Sequence, residues 1–319
     1  MCLYPKLMNN KKYTINKKNG GIIPPLPLRE GEIDKRVLKV PIPCGKCKEC
    51  MKKRSREWGI RLQEEIKTNP VAQFVTLTFN NESLIELSKE IKAEGYAMDN
   101  AIATIAIRRF LERWRKKHKK SVKHWFVSEL GSGRYEHMHI HGIIWTKEKQ
   151  DIKDIWKYGF VYIGDYVSNR TITYITKYIT KVDLKHKEYK PKINCSAGLG
   201  KEYLNGYNAQ KNKYNEVETN ENYRTNNGLK TQLPTYYRNK IYTEEEKQEL
   251  WIKKLNENVR YINGIKIDMN TESERYYKIL ELAQKENERI GYGTDKIDWN
   301  AKKYENDRRN TLRQARLNQ

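Results

Sequence analysis

The spacing of apolar residues changes period along the chain, and each change marks an element. Residues 51–67 set Trp58, Leu62 and Ile66 four apart, with Pro70 beyond them, which predicts a helix. Residues 73–79, QFVTLTF, alternate and predict a strand. Residues 99–118 predict a second long helix, with Ile107, Phe110, Leu111 and Trp114 on one stripe. Two further alternating runs, 123–129 and 136–145, flank a Gly-rich turn at 130–134 and predict a hairpin. A short helix near 149–157, a strand at 160–165 and a helix capped by Ser168 and running to about Val182 follow. Strand, helix, strand, strand, helix, strand, helix is an α+β order, built around a central antiparallel sheet flanked by helices rather than a doubly wound parallel one.

The flanks read differently. Residues 1–43 carry Asn-Lys stretches, Gly20-Gly21 and Pro24-Pro25 with little periodicity, and predict irregular chain. Residues 194–227, rich in Asn, Tyr, Lys and Gly, predict a loop with short elements. Thr243 and Glu246 form a capping-box pattern that opens a helix to about Asn256. Residues 272–289 predict another helix, charged nearly all round, and 291–319 a polar tail. The expected organisation is a cysteine-bearing N-terminal arm over 1–55, a sheet domain over 56–190, a loop-rich extension over 191–245, and a mostly helical C-terminal region with its tail over 246–319.

Charge adds a partner class. The 319 residues hold 63 Lys and Arg against 40 Asp and Glu, a net of +23. Residues 1–70 carry 17 basic and 7 acidic side chains, residues 71–190 carry 22 and 14, and residues 191–319 carry 24 and 19. The surplus therefore sits in the first 190 residues, and it calls for a polyanion, nucleic acid before any other. The densest run holds Arg113, Arg115, Lys116, Lys117, Lys119 and Lys120. It reads as a DNA-phosphate patch, or as a solvated helix end where the dipole favours cations. Mean hydropathy is −0.94. No apolar run approaches the ~18 residues of a membrane span. Residues 1–10 lack the apolar stretch of a signal peptide. The chain is expected to act where it is made, with no membrane partner. Tyr 22, Trp 7 and Phe 5 supply a core and argue against disorder throughout.

Candidate chemistry concentrates in three places. Three of the six histidines, His137, His139 and His141, alternate along one predicted strand and so share a face. Two such imidazoles can hold one divalent ion, and Glu129 on the partner strand can reach the same face. Residues 173–181, TYITKYITK, put Tyr174 and Tyr178 on one side of a helix, each with a lysine three residues on, Lys177 and Lys181. Ile172, Ile175, Ile179 and Val182 form the opposite, core-facing stripe. A tyrosine oxygen can attack a phosphodiester, but a phenol of pKa ≈ 10 needs a cation on the phosphate to do so at neutral pH. The third place is CGKCKEC, with Cys44, Cys47 and Cys50, preceded by Cys2. Without an export signal these thiols are expected to bind metal rather than to form disulfides. A closed structural Zn²⁺ site fits, with Cys2 as the fourth ligand or Cys195 or a histidine in its place.

Taken together, these segments resemble the replication initiation proteins of gokushovirus-like microviruses, single-stranded DNA phages, within the HUH endonuclease superfamily. The likeness rests on MCLYPK at the start, PCGKCKEC with Arg56, Trp58 and Arg61 after it, FVTLTF at 74–79 and SELG at 128–131. It continues through RYEHMHIHG at 134–142, YITKYITK at 174–181, GLGKEYL at 198–204 and LPTYYRNK at 233–240. It implies a sheet of the HUH type at 56–190, with FVTLTF as a strand that helps contact origin DNA. By the same likeness His139 and His141 are the metal-binding pair and Glu129 the acidic third ligand. His137 is an added histidine, so a His137/His139 pairing stays open. Tyr174 and Tyr178 take the place of paired nucleophiles, with Lys177 and Lys181 as the motif lysines, and the cofactor is Mg²⁺ or Mn²⁺. The implied activity is that of a DNA endonuclease and strand transferase that starts rolling-circle replication. It nicks an origin strand through a 5′-phosphotyrosine and later rejoins the displaced strand. Its partners are single-stranded and origin double-stranded DNA and the host polymerase, in the cytoplasm of the bacterial host. No GxxxxGK[ST] loop is present, so unwinding falls to a host helicase. A two-tyrosine HUH transposase shares these motifs. A non-catalytic, zinc-stabilised single-strand binder would account for the charge and aromatics but not for the histidine strand.

Overall fold

The computed structural model describes residues 1–131, 138–164, 166–182 and 189–292. Two compact units emerge: Met1–Lys52 with Glu216–Glu218 and the chain from Thr243 onward, and Lys53–Asn215 with Thr219–Tyr242. Among the described residues no helix is long and apolar enough to cross a membrane.

The first unit is less irregular than its sequence suggests. Strand β1 (Lys6–Asn9) pairs antiparallel with β2 (Lys39–Ile42), Lys6 opposite Ile42. Both are only four residues long, the first mostly exposed and the second mostly half-buried, and neither carries the apolar alternation by which a strand is recognised. Helix α1 (Lys48–Thr68) opens here and passes into the second unit at Lys53.

In the second unit, α1 is followed by β3 (Gln73–Thr78), α2 (Asn81–Ser88) and α3 (Gly95–His118). The hairpin strands β4 (Lys123–Leu130) and β5 (Met138–Trp145) come next, then α4 (Lys149–Ile155), β6 (Val161–Ile163) and α5 (Asn169–Thr180). Strand β7 (Ile193–Cys195) completes a five-stranded sheet in the order β6-β3-β5-β4-β7, with every pairing antiparallel. The α+β layout with a central antiparallel sheet is as expected. Helix α2, capped by Asn80, and strand β7 were not foreseen.

Period-two alternation gives this sheet two unlike faces. Val75, Leu77, Phe126, Leu130, Met138, Ile140 and Ile144 point to one side and pack with Ile102, Ala106, Phe110 and Trp114 of α3. Gly142 lies on this side for a steric reason. A Cβ there would come within 2.2 Å of the Phe126 ring and 2.7 Å of the Trp125 carbonyl oxygen. The other side carries Thr76, Glu129, His139 and His141, and α5 lies over it. Beyond β7, strands β8 (Asn222–Arg224) and β9 (Lys230–Gln232) form a hairpin, followed by α6 (Thr235–Ile241). Buried Tyr203, Tyr223 and Tyr237 tie this loop-rich stretch to α1: the Tyr223 hydroxyl donates to Glu64, and Gly200 N–H donates to Glu65 at 2.8 Å.

The first unit resumes with α7 (Glu244–Glu257), where Thr243 and Glu246 form the expected capping box. Strands β10 (Val259–Ile262) and β11 (Ile265–Asp268) turn through Asn263-Gly264, both at positive φ. Helix α8 (Ser273–Arg289) follows. Helix α8 is not charged all round: Tyr276, Leu280, Ala283 and Asn287 form a buried stripe. That stripe packs with Leu3, Tyr4, Cys47, Ile262 and Ile267. Within the expected polar tail, residues 293–319 lie outside the described residues.

Candidate active site

The register of three strands assembles the site. Glu129 on β4 and Thr78 on β3 both stand opposite His139 of β5, while Val127 and Thr76 stand opposite His141. One potential ligand atom each from Glu129, His139 and His141 lies within 4.8 Å of the others. His141 Nε2 is 2.7 Å from Glu129 Oε2, and His141 Nδ1 is 3.1 Å from the Thr76 hydroxyl. An ionised carboxylate only accepts, so Nε2 carries a proton and, in the neutral ring, Nδ1 accepts from Thr76. His137 lies outside the described residues.

Helix α5 delivers the phenols. Its start is fixed by Ser168 and Thr171, whose side chains each bond the other's backbone N–H, at 3.3 and 3.1 Å. Ile172, Ile175, Thr176 and Ile179 are buried, which turns the opposite side toward the histidines. The Tyr178 ring lies flat on the His141 ring, centroids 4.0 Å apart and planes 7° apart. The Tyr178 and Tyr174 hydroxyls share a hydrogen bond of 2.7 Å. Tyr174 also meets Phe74 edge-on, centroids 6.1 Å apart. The helix ends at Thr180, and the extended backbone of Lys181 takes its ammonium to Glu129, with which it pairs.

Electrostatics follow from these contacts. Burial raises the Glu129 carboxyl, but hydrogen bonds from His141 and Lys181 outweigh it, and its pKa falls below the ordinary carboxylate value. Burial, the bond to Tyr174 and the charge of Glu129 all push the Tyr178 phenol well above its usual value. Tyr178 is therefore a protonated phenol in this arrangement, and a cation near Glu129 would favour its ionisation. Two nitrogens and a carboxylate oxygen from adjacent strands suit a divalent ion, which three protein ligands would leave with positions for substrate oxygens.

Beside Tyr174 lies a groove of about 440 Å³ lined by Arg170, Thr173 and Lys177 of α5 and by Asn226, Asn227 and Leu229 of the β8–β9 turn. Sequence reading missed this turn, which carries no charge pattern of its own. It also missed Thr76, although FVTLTF alternation already put Thr76 and Thr78 on one face. The basic run is elsewhere, since α3 packs on the opposite face of the sheet. Within that run Arg113 is engaged with the Ile155 carbonyl at 3.0 Å, and Lys117 pairs with Asp151 at 2.6 Å. Arg115, Lys116, Lys119 and Lys120 are exposed. In the first unit Cys2, Cys44, Cys47 and Cys50 come together, with sulfurs within 4.8 Å of one another.

The chain is similar to viral replication-associated proteins. The chain is 25% identical over 232 residues to the replication-associated protein ORF4 of Chlamydia phage 1, covering 62% of this chain and 53% of that one. It is 28% identical over 196 residues to the replication-associated protein ORF2 of Spiroplasma virus 4, covering 53% of this chain and 58% of that one. The matched stretches thus span little more than half the length of either relative. No solved structure matches this one. Residues 72–183, which hold Glu129, His139, His141 and both tyrosines, match the ORF2-type family of replication-associated proteins, so the resemblance to phage replication proteins that the motifs suggested is shown.

Proposed function

We propose that the chain is a metal-dependent DNA nickase and strand transferase of the HUH type that initiates rolling-circle replication in a phage. The observation that carries this reading is the Tyr178 ring stacked on His141, its hydroxyl bonded to Tyr174, beside the Glu129–His139–His141 triad. In the reaction, a tyrosine oxygen attacks the scissile phosphorus. A Tyr–O–P bond to the 5′ side forms, the bond to the 3′-oxygen breaks, and the phenol proton is balanced by protonation of the leaving 3′-oxygen. The released 3′-OH primes synthesis on the replicative duplex by the host polymerase. A bound Mg²⁺ or Mn²⁺, held by Glu129, His139 and His141, would polarise the phosphate and steady the leaving oxygen. Lys177 and Arg170 face the groove beside Tyr174 and would hold flanking phosphates of single-stranded DNA. The phosphotyrosine keeps the energy of the broken bond, so a later attack by a 3′-OH rejoins the strand and frees the tyrosine. Two phenols whose hydroxyls are 2.7 Å apart can serve one reaction position in turn. A host helicase would unwind the duplex.

The test is cleavage of a single-stranded origin oligonucleotide with Mn²⁺, with adducts identified by mass spectrometry. Each single Tyr→Phe variant should leave an adduct on the remaining phenol. The double variant, Tyr174→Phe with Tyr178→Phe, should form none. An adduct on the double variant would overturn the assignment.

A further inference from the structure

Outside the tyrosine site, the other group among the described residues that could hold a metal ion is the cysteine cluster of the first unit. Cys44 and Cys50 sulfurs are 3.9 Å apart, and Cys2 and Cys47 sulfurs are 4.0 Å apart. With Zn–S bonds of about 2.3 Å, the edge of a ZnS₄ tetrahedron is about 3.8 Å. The spacing therefore matches a mononuclear site. A polynuclear iron–sulfur core would spread the four sulfurs further apart.

The backbone supplies a second, independent sign. Leu3 N–H points at Cys47 Sγ at 3.4 Å, Tyr4 and Cys44 N–H at Cys2 Sγ at 3.3 and 3.2 Å, and Lys46 and Cys47 N–H at Cys44 Sγ at 3.4 and 3.3 Å. Five amides aimed at three sulfurs suit thiolates, which accept far better than thiols. Gly45, at φ +74°, makes the turn that folds Cys44 and Cys47 around one point. Several thiolates this close repel strongly unless a cation lies among them.

We propose that Cys2, Cys44, Cys47 and Cys50 form a closed, structural Zn²⁺ site that locks the first unit together. Cys2 is the fourth ligand, which the sequence left open. The site joins two remote stretches, and packing and hydrogen bonds tie α8 to them. Cys47 is fully buried among Leu3, Tyr4, Ile262, Ile267, Tyr276 and Leu280. Leu3 accepts a hydrogen bond from Gln284 at 2.8 Å, and Lys48 N–H donates to Asn287 at 2.8 Å. Residues 2–4, 44–50 and α8 are thus fastened at one point, and losing the ion would loosen all three. With four protein sulfurs the ion has no open position and no catalytic part.

The test is metal analysis of the full chain, expressed with added zinc and purified under reductant without chelator. About one zinc per chain is expected. Cobalt substitution should give the visible absorption of a tetrahedral tetrathiolate. Cys2→Ser, Cys44→Ser and Cys50→Ser should each lose most of the zinc, and Cys195→Ser should keep it. If the serine variants fail to fold, mercurial titration of the wild type should release zinc in step with four thiols. Metal-free protein, bound iron, zinc retained by Cys2→Ser, or release uncoupled from four thiols would each overturn the proposal. None of these readouts depends on DNA cleavage.

Discussion

Among the described residues two clusters of side chains could hold a metal ion, and they are built on opposite plans. Glu129, His139 and His141 offer one oxygen and two nitrogens from adjacent strands, with two phenols alongside. Cys2, Cys44, Cys47 and Cys50 offer four sulfurs, and backbone amides point at three of them. With three protein ligands the first set would leave positions for substrate; with four the second would enclose its ion. Donor type leads the same way, since oxygen and imidazole suit exchangeable Mg²⁺ or Mn²⁺ and thiolate suits retained Zn²⁺. If both proposals hold, softness and closure alone would keep a labile reactive ion apart from a structural one.

Chelation is the most severe way to break this contrast. Brief treatment with EDTA, then desalting, is expected to abolish oligonucleotide cleavage entirely, and Mn²⁺ should restore it. Zinc should remain near one per chain. Cleavage assays paired with metal analysis read both sites in one sample. Zinc lost together with activity would erase the distinction between open and closed sites.

The tyrosine site also depends on close packing between its central strands. Gly142→Ala changes no ligand, yet its methyl group would strike the Phe126 ring and the Trp125 carbonyl. A carbonyl in a central strand pair cannot swing aside as a flexible side chain can. The substitution should destabilise the second unit by about 3 kcal/mol, measured by urea unfolding, while zinc content stays unchanged. A neutral result would mean that β4 and β5 can separate locally without loss.

Much of the open site was legible because it is local. Alternation put His139 and His141 on one strand face, and four-residue spacing put Tyr174 and Tyr178 on one helix face. What brings strand and helix together is tertiary, and no period encodes it. The Asn226–Leu229 side of the groove is of this kind, as is the seating of α3 that puts its basic run behind the sheet. Other misses were readable. Asn263-Gly264 between VRYI and IKID is a strong hairpin signal. Tyr276, Leu280, Ala283 and Asn287 follow helical spacing, but the many charges of α8 obscure it. The cysteine trio was legible from its spacing, with Cys2 as the fourth member and Cys195 or a histidine as alternatives. Only folding of a stretch that has no periodicity brings residue 2 beside the trio.

The finest expected effect concerns Thr76, which touches no candidate metal directly. Its hydroxyl is 3.1 Å from His141 Nδ1. While Nε2 bonds Glu129, Nδ1 accepts from Thr76. For Nε2 to become a ligand its proton must leave, and the ring is then neutral only with the proton on Nδ1, which donates to Thr76. A hydroxyl serves both tautomers because it donates and accepts. A valine serves neither, and partners of this kind steady ligand orientation and basicity. Thr76→Val should therefore weaken Mn²⁺ activation about 10-fold, with little change in rate at saturating metal. Thr76→Ser should restore the wild-type metal dependence. Mn²⁺ titrations of cleavage check both, and an equal loss in Thr76→Ser would show that the hydroxyl alone does not carry the effect.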